Sequence, residues 1–134
     1  MTAAPFEQRN PYKGTPPRPW LRLRFETANG ISQEFDLLAD TGNPFAVILS
    51  QSGWNQLKIG DAPDVATNFG TLQGGWLNLT MPEFGLVQPL ICYASDGVAA
   101  AARSSHSDFN GLVGLPFLQL LEYGGNADWF WLRK

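Results

Sequence analysis

The chain has 134 residues, 44% of them hydrophobic and 13% aromatic, which suits one folded domain with a sizeable core and not a disordered chain. Its net charge is −3 and its nine Lys and Arg are scattered, which speaks against a nucleic-acid partner, since phosphate binding needs clustered positive charge. A single cysteine, Cys92, and a single histidine, His106, provide neither an intrachain disulfide nor the ligand set of a zinc site, so no metal is expected.

Residues 1–19 read as a Pro-rich tail: Pro5, Pro11, Pro16, Pro17 and Pro19 interleave with Arg9, Lys13 and Arg18, without apolar periodicity. It is either disordered or extended against the domain or a partner subunit. The first seven residues lack the basic-then-apolar pattern of a signal peptide. No stretch approaches the ~20 apolar residues of a membrane span. A soluble, cytoplasmic protein with no membrane partner is therefore the expectation.

The domain is expected over 20–134. Trp20-Leu21-Arg22-Leu23-Arg24-Phe25 alternates apolar and polar residues, as a half-buried strand does. Ala28-Asn29-Gly30 supplies hairpin turn chemistry. The return strand, Ile31 to Ala39, becomes continuously apolar at Leu37-Leu38-Ala39, so it runs into a buried centre. Asp40-Thr41-Gly42-Asn43-Pro44 is turn material, and Phe45 to Leu49 is a second buried strand. A carboxylate framed this way must be paired, hydrogen-bonded or put to use.

Ser50 is placed to cap a short helix through Gln56 or Leu57. Asp61 to Asn68 reads as loop. Phe69 to Leu79 reads as two strands around a glycine-rich tip, Gly70 to Gly75. Leu86 to Tyr93 is another apolar strand, with Cys92 a small apolar residue within it. Asp96 to Asp108 is a surface excursion with a helical turn at Val98–Ala102 and His106 in a solvated loop. Leu112-Val113 is a short buried strand, and Pro116 suits the first turn of a helix. Gly124-Gly125-Asn126 breaks that helix before a closing apolar strand, Trp129 to Leu132. The sum is an all-β domain of about seven or eight short strands with one or two short helices.

Three segments then combine. Leu37-Leu38-Ala39-Asp40-Thr41-Gly42 lies early, Gly111-Leu112-Val113-Gly114-Leu115-Pro116-Phe117-Leu118 lies late, and the glycine-rich segment Gly70 to Gly75 lies between. Over residues 20–132 this order resembles the retropepsin-like aspartic proteases. The resemblance implies a closed, orthogonal β-barrel-like sandwich and an aspartic endopeptidase acting on a peptide or protein substrate, without metal or organic cofactor. Such chemistry uses two carboxyl groups sharing one proton: one deprotonates a water while the other donates to the scissile carbonyl. Two carboxylates about 3 Å apart cannot both ionise cheaply, so one pKa is raised. The chain holds one Asp-Thr-Gly, so the dyad implies a homodimer with an Asp40 from each subunit facing across a twofold axis.

By resemblance the Thr41 hydroxyl reaches the other subunit's backbone, and Gly42 lets the turn approach closely. Asn43 departs from the Ala or Ser usual at that place, which bears on hydrogen bonding near the dyad. Gln73, Gly74, Gly75 and Trp76 are the expected substrate-binding flap, or else a plain surface hairpin with Trp76 packed on the core. Gly114 is expected to support the catalytic turn by packing. Trp129 to Leu132 belongs either to the subunit interface or to the core of one subunit. Asp36, Asp108 and Asp128 are the competing carboxylates, with Asp36 expected to face solvent. Three further readings stay open: Asp40 merely hydrogen-bonded to its own turn, a catalytically silent dimerisation or peptide-binding module, and a protease acting only on its own precursor.

Overall fold

Alternating and continuous apolar runs become strands, and short capped segments become the helices between them. In the computed structural model, which describes residues 6–68, 70–103 and 108–134, the chain begins with strands β1 (Glu7–Pro11), β2 (Trp20–Glu26), β3 (Ser32–Asp40) and β4 (Val47–Leu49). Helix α1 (Gln51–Leu57) leads to β5 (Gly60–Thr67), β6 (Gly70–Met81) and β7 (Leu86–Ala94). Helix α2 (Asp96–Ala102), strand β8 (Gly111–Gly114) and the single turn α3 (Leu115–Leu118) follow, then β9 (Glu122–Gly125) and β10 (Trp129–Arg133). At 55% strand and 17% helix, the expectation of a mostly β chain with few short helices holds.

Six strands close a barrel in the order β2-β3-β8-β4-β7-β6. The seam is made where β6 returns to β2, with Phe25 opposite Leu79 and Glu26 opposite Asn78. Inward residues follow the two-residue period of each strand: Leu21, Leu23 and Phe25 from β2, Leu77 and Leu79 from β6, and Val113 from β8 are all fully buried. Each such side chain stabilises the fold by about 1.5–3 kcal/mol relative to exposure. The Ser50 side chain caps α1 by accepting from Gly53 N, as its sequence position predicts. The helix buries Trp54, whose indole N–H donates to the Cys92 carbonyl at 3.0 Å. Cys92 itself is buried in the core, and loss of hydration pushes its thiol pKa up.

Three expectations need correction. Asp61 to Asn68 is not loop, because β5 pairs antiparallel along β6 and is interrupted only by a bulge between Ala62 and Val65. Pro63 and Asp64, the residues that read as loop, occupy that bulge. The glycine-rich segment is not a hairpin tip either: β6 is one continuous strand through Gly74 and Gly75, and the turn lies between Thr67 and Gly70. A Cβ on Gly74 would stand 2.4 Å from the Pro63 carbonyl oxygen and one on Gly75 2.6 Å from the Trp54 ring. These glycines serve close packing, not turn geometry. Gly124 and Gly125 likewise end a strand, β9, since α3 has already stopped at Leu118.

The part of the N-terminal segment that is described lies on its own domain. β1 pairs with β10, which pairs with β9 in a three-stranded sheet. The Trp20 indole N–H donates to the Pro11 carbonyl at 2.6 Å, and the Tyr12 hydroxyl donates to the Asn126 carbonyl at 2.7 Å. β10 is thus the middle strand of a sheet within one chain, with Phe130 and Leu132 buried.

Candidate functional site

Strand β8 runs between β3 and β4, parallel to the first and antiparallel to the second. Those two strands are the ones that the Asp40-Thr41-Gly42 turn connects, so the turn passes over the end of β8. Asp40 is the last residue of β3, in register with Gly114. Backbone hydrogen bonds fix the loop to the strand beneath: Gly114 N donates to Ala46 O at 2.9 Å, and Leu115 N donates to Asn43 O at 3.1 Å. Contact is so close that a Cβ on Gly114 would lie 2.0 Å from the Phe45 carbonyl oxygen. Only glycine fits there. The packing role expected of Gly114 has this geometry.

The turn is also tied within itself. Asn43 N donates to Asp40 O at 3.1 Å, and Gly42 N donates to Asp40 Oδ1 at 3.0 Å, the local side-chain bond that an Asp makes in a turn. Asn43 is 7% exposed, and its Oδ1 accepts from Phe45 N at 3.0 Å. That bond sets the amide's orientation, leaving Nδ2 buried without a hydrogen-bond partner. Such a group carries a desolvation cost.

Contrary to its apolar frame in the sequence, Asp40 is exposed in the single chain, as are Thr41 and Gly42. The apolar residues lie beneath it instead. They line an open cleft of about 940 Å³ whose walls include Leu38, Phe45, Ile48, Leu72, Val98 and Leu112. Ala66, Thr67 and Asn68, at the end of the β5–β6 hairpin, line its opposite side. Asp40 and Arg18 are the charged residues of this lining.

The structure brings Asp40 and Gly42 to the cleft and sets Gly114 under their turn, but leaves Gln73, Gly74, Gly75 and Trp76 outside its lining. Gln73 instead accepts from the Gln51 side chain of α1 at 3.2 Å. Trp76 is 38% exposed, at Gly60 and Ile91 of the neighbouring strands. The residues that overhang the cleft are those nearer the true turn, signalled in the sequence by Asn68 and Gly70. Gly70 has φ +101°, a conformation that favours glycine. Arg18, hidden in the Pro-rich segment, is a further lining residue that periodicity did not single out.

Asp36 does not simply face solvent. Its carboxylate receives Arg22 at 2.7 and 3.2 Å and Lys13 at 3.4 Å. Burial works against its charged form, but the Arg22 hydrogen bond and charge, with Lys13, outweigh this and hold its carboxyl below the ordinary value. It is a structural ion pair outside the cleft. His106 lies outside the described residues. Among the described residues no three His, Cys, Asp or Glu side chains are grouped to hold a metal ion, and no helix is long and apolar enough to cross a membrane.

No protein-family model, curated protein or solved structure matches this chain.

Proposed function

We propose that the chain is one subunit of a homodimeric aspartic endopeptidase that hydrolyses extended peptides with a water molecule as nucleophile. The observation that carries this reading is Asp40: an exposed carboxylate at the rim of a large apolar cleft, on a turn fixed by the strand beneath it. A catalytic carboxylate needs that combination of positional rigidity and access. A dyad also needs a free face through which two copies of the turn meet, and Asp40, Thr41 and Gly42 are all exposed.

In the assembled dyad, the two Asp40 carboxyls share one proton. The ionised group takes a proton from water, the resulting hydroxide adds to the scissile carbonyl carbon, and the protonated group donates to the carbonyl oxygen. Collapse breaks the C–N bond as the amine leaving group receives a proton. Thr41 and Gly42 hold the two turns in place, and the apolar walls take the side chains that flank the bond. The substrate's backbone lies extended between the turn and the β5–β6 hairpin, bound partly by strand addition.

Wild type and Asp40→Asn, each incubated with unfolded proteins from about pH 4 to 7, test the reading over the range where a raised dyad pKa matters. Wild type is expected to cleave, and the variant to lose activity by about a thousandfold or more. A chain that stays monomeric at high concentration contradicts the dyad. A folded dimer that never cleaves is instead a catalytically silent dimerisation or peptide-binding module.

A further inference from the structure

Arg18 has no use in the fold that matches its position. Arg22, Arg24 and Arg133 each hold a carboxylate, Asp36, Glu83 and Glu7 respectively. Arg18 is half-buried, yet among the described residues its guanidinium meets neither a carboxylate nor a hydrogen-bond acceptor. It lines the same cleft as Asp40. A guanidinium in apolar surroundings gains from a charged acceptor.

Its placement is built into the backbone. Arg18 N donates to Lys13 O at 2.7 Å and Lys13 N to Arg18 O at 3.0 Å, closing a loop that contains Pro16 and Pro17. On the other side, Ala39 N donates to Pro19 O at 3.0 Å. That bond continues the antiparallel register in which Trp20 faces Leu38. Arg18 directly precedes that Pro19, as Asp40 directly follows Ala39. The arrangement therefore brings a cation and a carboxylate to the lining of one apolar groove without an ion pair between them.

We propose that Arg18 is a specificity-determining residue that binds an acidic side chain of the peptide in the cleft, so that substrates carry Glu or Asp a short distance from apolar residues. The charge complementarity is specific in position as well as in sign. Asp40 repels an acid placed directly at the scissile bond, so the acidic residue belongs on the Arg18 side of it. This inference rests on the protease reading only in taking the cleft as a peptide site.

Binding tests it separately from catalysis. The probes are capped octapeptides of alanine with Leu-Phe at the centre and a single Glu, or its isostere Gln, walked through the flanking positions. They are titrated against Asp40→Asn protein, which cannot cleave them. At one position the Glu peptide is expected to bind about five- to tenfold more tightly than the Gln peptide, the scale of a partly exposed charged hydrogen bond. Arg18→Gln should bring that ratio to about one, Arg18→Lys should keep its direction, and added salt should shrink it. Equal binding at every position, no binding of either peptide, or a preference unmoved by Arg18→Gln in a folded protein overturns the inference. Cleavage by wild type with no acidic preference at its cut sites overturns it while leaving the protease reading intact. A Glu preference that depends on Arg18 in a protein that never cleaves supports it and sinks the protease reading instead.

Discussion

The two sides of the cleft are built to different standards. The side that carries Asp40 is a three-strand unit, β3-β8-β4, in which β8 is paired along both edges and Gly114 is locked beneath two carbonyls. The opposite side is the end of the β5–β6 hairpin, a single ribbon with a bulge on one strand and exposed residues at its turn. The difference teaches where precision is required. On the proposed reading, a reacting carboxylate must be held to within a fraction of an ångström, a demand that the wall across from it does not share.

Glycine substitutions on the two sides would break the comparison most directly. Gly114→Ala forces a Cβ to 2.0 Å from one backbone carbonyl and 2.7 Å from another, neither of which can swing aside. A loss of about 4 kcal/mol or more is expected, seen as a collapse of the urea midpoint or as failure to fold. Gly70→Ala meets nothing within 4 Å and is strained only by its φ of +101°. It should cost about 1 kcal/mol on the same measurement. Equal costs would mean that the two walls are alike after all.

Acid sharpens the comparison from the β3 side. The Asp36 carboxyl, held below its ordinary value by Arg22 and Lys13, stabilises the folded chain above the unfolded carboxylate pKa of about 4. That contribution is lost as pH falls through the lower folded value, because the unfolded chain binds the proton first. Asp36→Asn should cost about 1 kcal/mol or less at neutral pH, given the exposure of Arg22. The difference from wild type should vanish in acid, as read from urea unfolding across a pH series. A difference that persists at low pH would assign the loss to packing and not to charge.

Much of this was legible in the sequence where one residue has one local job. Asn29-Gly30 marks the β2–β3 turn, Ser50 caps α1, Pro116 opens α3, and the apolar runs around Asp40 become the buried strands. The failures share a cause: a residue type with two uses. Gly74 and Gly75 read as a turn, but they are small so that Pro63 and Trp54 can approach. Pro63 and Asp64 read as loop, but pairing with β6 retains them in a bulged strand. Asp40 read as a turn acid framed by apolar strands, and it does end β3, but the frame did not tell that the carboxylate itself is exposed. Arg18 was hidden because its position comes from a register with β3, which no local pattern encodes.

Strand β6 carries one last consequence. Its pairing with β7 begins at Gln73, so among the described strands the residues before that, Gly70 to Leu72, pair only with β5, through Val65–Leu72, Ala66–Thr71 and Thr67–Gly70. Beyond the barrel wall the hairpin is therefore a cantilever two strands wide, a structure of marginal stability in water by itself. Of its residues, Gly70 and Thr71 are exposed and Thr67 is half-buried, while Leu72 is 3% exposed and lines the cleft. Leu72 is thus the point at which the two-stranded extension leaves the barrel wall, a buried apolar side chain in the lining of the cleft.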